Sequence, residues 1–184
     1  MASNRPYCHN TATLVGHHDF LADAQRDSRE DLIEHLLELV EKSRSIIVYS
    51  SFEKQILNQL IQHQPRHGKR FQDCINKLCD LLTVLKPNTY YHPDQKGSYS
   101  IKAVLPVLVP GYSYDHLAIN NGTDAVAMFV KIIDRQCTPE EATGIRQNLL
   151  EYCKLDTLAM VKLHEQLEHL ANDQSWLFKE GMND

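Results

Sequence analysis

The sequence predicts an α/β domain, on three observations. The short, nearly continuous apolar run Ser45-Ile-Ile-Val-Tyr-Ser50 directly follows an amphipathic helical stretch, the pattern of a buried parallel strand. A second helical stripe begins at once after it. Near the C-terminus no Gly or Pro interrupts the chain from Ile145 to Ala171. There Leu149, Tyr152, Cys153 and Leu155 to Val161 recur at three-and-four spacing, which predicts a long helix. The 184 residues suffice for one domain with a sizeable core, residues 1–184, and no repeat, low-complexity segment or linker divides them.

Residues 11–20 have strand character, ending near Leu21, and Asp23 to Ser28 are turn-like. Ser28 then caps a helix with Glu30 and Asp31 in its first turn. Leu32, Leu36, Leu39 and Val40 form its stripe, to about Lys42. After the strand at Ser45–Ser50, Ser50 and Ser51 cap a helix striped by Phe52, Ile56, Leu57, Leu60 and Ile61. Pro65 to Lys69 is a loop, and Phe71 to Leu85 is helical, becoming strand-like around Leu81 to Leu85. Lys86 to Ser98 is a loop with Tyr90, Tyr91 and Tyr99 in or beside it. Ser100 to Leu105 makes one or two helical turns, stopped by Pro106. Val109-Pro110-Gly111 is a turn, and Ser113 caps a further short element. Asn120-Asn121-Gly122 is another turn, with Thr123 capping a helix to about Arg135. Thr138-Pro139-Glu140-Glu141 is a helix start with Pro at the first position, feeding the long helix with a break near Gly144. The tail after Asn172 frays, with Trp176, Leu177 and Phe178 able to dock.

Composition narrows the function classes. Hydrophobic residues make up 42% and charged residues 23%, ordinary for a soluble globular protein. No apolar run approaches the roughly 18 residues that span a bilayer, and Met1 to Pro6 lacks the apolar core of a signal peptide. These observations predict a cytoplasmic protein with no membrane partner. The five cysteines are scattered without Cys-x-x-Cys, as expected of reduced thiols filling a core, and the ten histidines show no zinc spacing. A net charge of −5 argues against a chain that simply coats nucleic acid, and Arg66-His67-Gly68-Lys69-Arg70 reads as a solvated loop. An acidic balance still accommodates a nuclease, whose metal-binding carboxylates make the site negative before cations enter.

Four residues carry candidate chemistry. Tyr152 and Asp156 are four apart, hence one turn apart on the same helix face with Leu149, Cys153 and Met160. A carboxylate on such an apolar face must be paired, hydrogen-bonded or bound to a cation. A local cap or salt bridge is the plain alternative. Glu53 falls in the first turn of a helix at the C-terminal end of the buried strand, the edge where open α/β sheets place their sites. Asp80 opens the Asp-Leu-Leu segment, where it is as well suited to capping as to chemistry.

In this order Glu53, Asp80 and Tyr152-x-x-x-Asp156 resemble the DEDD superfamily of 3′–5′ exonucleases, in its Tyr-containing branch. The likeness is greatest to an uncharacterised bacterial domain family with that core. It rests on Ile46 to Lys54, Gly97 to Pro106 and Glu151 to Ala159, and spans about residues 13–170. The resemblance implies a ribonuclease-H-like mixed sheet flanked by helices, Mg²⁺ or Mn²⁺ as cofactor, and DNA or RNA as partner. It implies Asp156 and Glu53 as metal ligands and Tyr152 as the group positioning the attacking water, and it leaves Asp80, in the segment after the second motif, open as an accessory acid or a cap. Two cations stabilise the attacking and leaving oxygens of an in-line displacement at phosphorus, and hard cations take oxygen ligands. The pattern departs from the superfamily in three places. Tyr49 stands where Asn or His is frequent, Glu53 is one methylene longer than the usual Asp, and no Asp-x-Glu strand occurs before residue 45. The chain thus resembles a domain lacking its first one or two strands, with no first-motif acids. The expectation is nuclease chemistry that is weak or absent in this chain alone, and an open sheet edge that favours self-association. The alternative is a non-catalytic binding or scaffold module that keeps the fold. A nucleophilic hydrolase lacks a Gly-x-Ser-x-Gly elbow and a P-loop lacks its upstream glycine, so neither is supported.

Overall fold

The computed structural model describes residues 16–86 and 92–172. Two short strands, β1 (Ile46–Val48) and β2 (Leu78–Asp80), pair in parallel, with Ile46 opposite Leu78 and Val48 opposite Asp80. Parallel neighbours need a crossover connection. Here it consists of α2 (Phe52–His63), a 3-10 turn at Pro65–His67 and α3 (Gly68–Ile75). α1 (Arg29–Val40) precedes the unit. It is followed by α4 (Leu81–Leu85), α5 (Ile101–Leu108), α6 (Gly122–Ile133) and α7 (Pro139–Asn172). The α/β expectation holds, in a mostly helical chain. The expected mixed sheet is reduced, among the described residues, to this parallel pair.

Successive strand side chains point to opposite faces, and each face meets its own core. Ile46 and Leu78 pack on Ile33 and Leu37 of α1, Leu57 and Leu60 of α2, and Phe71 and Cys74 of α3. Ile47 and Tyr49 pack on Leu81 and Leu85 of α4, Val104 and Leu105 of α5, Tyr114, and Ala159 and Leu163 of α7. Phe71, Leu85, Leu105 and Leu163 are wholly buried, each worth about 1.5–3 kcal/mol of apolar transfer.

Several expectations are corrected. Residues 16–22 are irregular rather than strand. The Arg146 guanidinium satisfies the Leu21 and Ala22 carbonyls that a ladder would otherwise take. Residues 11–15, the loop tyrosines Tyr90 and Tyr91, and Trp176, Leu177 and Phe178 lie outside the described residues. The strand expected near Leu81–Leu85 lies just before it, and that run is α4, because the Asp80 side chain accepts from the Leu82 N–H and starts a helix. The loop expected at Pro65–Lys69 is the 3-10 turn and the beginning of α3. Pro106 does not stop its helix. It sits on the exposed side of α5, where a single backbone bond is lost, while Leu105 and Leu108 bury on either side.

Asn121, not Thr123, caps α6, its side chain accepting from the Asp124 N–H at 2.8 Å. α7 runs unbroken through Gly144, which has open space around it. It starts where expected, with a capping box, the Thr138 N–H donating to Glu141 at 2.8 Å and the Glu141 N–H to Thr138 at 3.2 Å. Ser28 and Ser51 occupy cap positions without side-chain cap bonds, and Ser113 opens no element, its hydroxyl accepting only from the Asp115 N–H. Phe52 is 62% exposed rather than part of the core stripe. Of the described cysteines Cys74 is buried, but Cys79 and Cys153 are exposed and fill no core. No helix among the described residues is long and apolar enough to cross a membrane.

Candidate functional site

The C-terminal end of β1 delivers Tyr49, Ser50, Phe52 and Glu53 to one cleft of about 640 Å³. Tyr152, Asp156 and Met160 of α7 form the facing wall, with Tyr99, Ser100 and Ile101 closing it at the start of α5. Glu53, Tyr152 and Asp156, about a hundred residues apart in the chain, are thus brought together.

Asp156 is held from several sides. Its Oδ1 accepts from the Tyr114 hydroxyl at 2.6 Å. Burial raises the carboxyl above the usual range, opposed by the Tyr114 and Tyr152 hydroxyls and by the positive charge of Lys102. The Tyr114 and Tyr152 rings lie 6.1 Å apart. The Lys102 ammonium sits 5.4 Å from the centre of the first ring and 5.6 Å from the second. It also donates to the Asn120 carbonyl. Burial, and then the negative charge of Asp156, push the Tyr152 phenol up to about 12, and burial, then the hydrogen bond to Asp156 and its charge, raise the Tyr114 phenol further. Both hydroxyls are therefore proton donors at neutral pH.

Glu53 has the opposite need. Its Oε2 is buried without a hydrogen-bond partner. Burial raises its carboxyl first, and the negative charges of Asp80 and Asp156 raise it further, against a backbone hydrogen bond of its own. The negative charge of Asp156 disfavours ionisation of Glu53, and a cation beside the two would lower that energy.

Asp80 does not line the cleft. Its Oδ1 accepts from the Ser50 N–H at 2.7 Å and from the Leu82 N–H at 2.9 Å. This ties the ends of the two strands together and caps α4. The first bond also steadies Ser50, which takes a left-handed φ of 87° that non-glycine residues rarely adopt. Tyr49 is similarly committed, its hydroxyl donating to the Tyr99 carbonyl at 2.6 Å while burial raises its phenol.

The donor chemistry of Glu53 and Asp156 suits a hard divalent cation. Among the described residues no group of three His, Cys, Asp or Glu side chains stands ready to hold a metal ion. The pair could therefore supply two protein ligands and leave the other positions to water or to a bound anion. Sequence reasoning missed Tyr114 and Lys102. Tyr114 lies in irregular chain with no periodicity to mark it, and Lys102 sits in a helix start where a lysine is ordinarily solvated.

No curated protein and no solved structure matches the chain. A family model described as Domain of unknown function (DUF2779) matches residues 6–100. The matched span holds Glu53 and Asp80 and ends before Tyr114, Tyr152 and Asp156. It covers more than half of the 184 residues, and the chain belongs to the DUF2779 family.

Proposed function

We propose that this cleft is a divalent-cation-dependent site for nucleic-acid phosphodiester hydrolysis, of the 3′–5′ exonuclease kind within a ribonuclease-H-like fold, with Glu53 and Asp156 as cation ligands. The observation that carries the reading is the Glu53–Asp156 pair in one cleft, with Glu53 Oε2 buried and unpartnered. The placement at the C-terminal end of a parallel strand supports it, since that edge is where α/β sheets bind ligands. A Mg²⁺ or Mn²⁺ ion there would supply charge stabilisation to a displacement at phosphorus. Tyr152 keeps its proton up to about pH 12, so it orients a water or phosphate oxygen by donating a hydrogen bond and does not act as the base. With two carboxylates and Asp80 engaged by backbone, turnover by this chain alone is slow or absent.

The second reading is a binding module of the same fold without catalysis. The Tyr114 bond to Asp156 favours it, because one carboxylate oxygen is already occupied. A gel-shift binding assay and a strand-shortening assay on 5′-labelled single-stranded DNA and RNA, each in Mn²⁺ and in EDTA, separate the two. The hydrolytic reading predicts cation-dependent strand binding and at most slow loss from the 3′ end, both removed by Asp156→Asn. Strand binding indifferent to EDTA and to D156N identifies the binding module. Absence of strand binding under all conditions rejects both.

A further inference from the structure

Lys102 departs from the usual behaviour of a lysine. An ε-ammonium is strongly hydrated and ordinarily keeps its head in water. Here the side chain is partly buried, and among the described residues it forms no ion pair with a carboxylate, unlike Lys162 with Glu165. Its head instead meets three neutral groups from three segments. It lies 5.4 Å from the ring of Tyr114, in the irregular chain after α5, and 5.6 Å from the ring of Tyr152 on α7. The third contact is its bond to the carbonyl of Asn120, just before the α6 cap. Both ring distances are within the roughly 6 Å at which a cation is drawn to an aromatic face. Each contact alone is weak. Together they set one cation against two rings from distant parts of the chain.

That matters because the Tyr114 hydroxyl donates to Asp156, and the Tyr152 ring lies 6.1 Å from the Tyr114 ring in the wall of the same cleft. The Tyr114 ring is buried in the core, so its hydroxyl reaches the carboxylate at 2.6 Å only while the ring keeps its tilt. Tyr152 is one turn from Asp156 on the same helix and less enclosed, with the cleft on its open side. A cation seated against both faces couples the two tilts. We propose that Lys102 is the positioning residue of this site: its ammonium, anchored to the Asn120 carbonyl, holds the Tyr114 and Tyr152 rings so that the Tyr114 hydroxyl stays on Asp156 and the Tyr152 hydroxyl stays beside it, free to donate into the cleft. Asp156 is thereby left with a defined oxygen directed to the cleft. Lys102 itself touches neither cation nor substrate. Residues that orient a ligand from behind are typically worth about 10–100-fold in metal affinity when removed.

The inference rests on the proposed cation site for its functional meaning, but the positioning can be tested without it. The full chain is labelled in its tyrosine rings, and ¹H–¹³C spectra are compared for the natural sequence, Lys102→Met, Lys102→Gln and Lys102→Arg. The proposal expects the Met and Gln variants to move the Tyr114 and Tyr152 resonances selectively, and Arg, which keeps the charge and stacks on aromatic faces, to restore them. Mn²⁺ calorimetry gives the functional readout. Removing a nearby positive charge would by itself tighten Mn²⁺ binding, whereas lost positioning weakens it by about tenfold or more. Selective ring shifts with weaker Mn²⁺ binding support the proposal. Shifts spread over all tyrosines, no shifts, or Mn²⁺ binding that is unchanged or tighter overturn it. If the natural chain binds no Mn²⁺, the cation reading fails, and the ring spectra alone decide the role of Lys102.

Discussion

Asp80 offers the sharpest test of how the cleft is built, because the structure assigns it a scaffold role in place of the accessory ligand role open to it in the sequence. In Asp80→Ala two bonds disappear together, the one to the Ser50 N–H at 2.7 Å and the one to the Leu82 N–H at 2.9 Å. Loss of an N-cap costs about 0.5–2 kcal/mol, and a bond to a charged acceptor about 1.5–3 kcal/mol. The site is only partly buried, so water recovers some of this, and the expected loss is about 2–4 kcal/mol. Asp80→Asn keeps the Oδ1 acceptor and gives up only the charge, so it retains most of the stability. Urea denaturation followed by far-UV circular dichroism measures both. With a slope of about 2 kcal/mol per molar, D80A moves the midpoint down by about 1–2 M and D80N by much less. The cap role also predicts that D80N weakens Mn²⁺ binding only modestly, through the loss of one nearby negative charge, and not by the factor of about tenfold or more of a lost ligand. A D80A midpoint near the natural one, or D80N as unstable as D80A, refutes the assignment.

Other consequences follow from the same geometry. Tyr114→Phe removes the 2.6 Å donor from a half-buried carboxylate oxygen and should cost about 1–3 kcal/mol in urea unfolding; a cost below about 0.5 kcal/mol would mean that water replaces the hydroxyl. Glu53 holds its proton more tightly folded than unfolded, so the natural chain loses stability as pH rises from the unfolded value, about 4.3, through the raised folded value. Glu53→Gln lacks that loss, so its advantage in urea midpoint should open across that window and be absent below it; a pH-independent difference contradicts the burial of the charge. Gly97, beside the cleft with a φ of 78°, has nothing within 4 Å of an added Cβ. Gly97→Ala should therefore cost about 1 kcal/mol from backbone strain alone, and a much larger loss would show crowding.

The parts of the site most legible in the sequence were those with a local rule behind them. Glu53 follows a strand that its apolar run announces, and Tyr152 and Asp156 share a face through helical spacing alone. The apolar run Leu81 to Leu85 satisfies strand and helix patterns equally, and the choice is made by one Asp80 side-chain bond to Leu82. Asn120, Asn121 and Thr123 all suit an N-cap, and the selection of Asn121 depends on its extended backbone, φ −149° and ψ 156°. Pro106 reads as a stop, but the burial of Leu105 and Leu108 outweighs one missing hydrogen bond. Tyr114 and Lys102 had no local signal, because their importance arises only when α5 and the chain following it pack against α7.

The central claim is that Glu53 and Asp156 act together on one divalent cation. Mn²⁺ titration of the full 184-residue chain by calorimetry, beside Glu53→Gln and Asp156→Asn, tests it most directly. The account predicts one bound equivalent, with each substitution alone weakening it by about tenfold or more. A folded chain that binds no Mn²⁺, or binding that survives both substitutions, contradicts it.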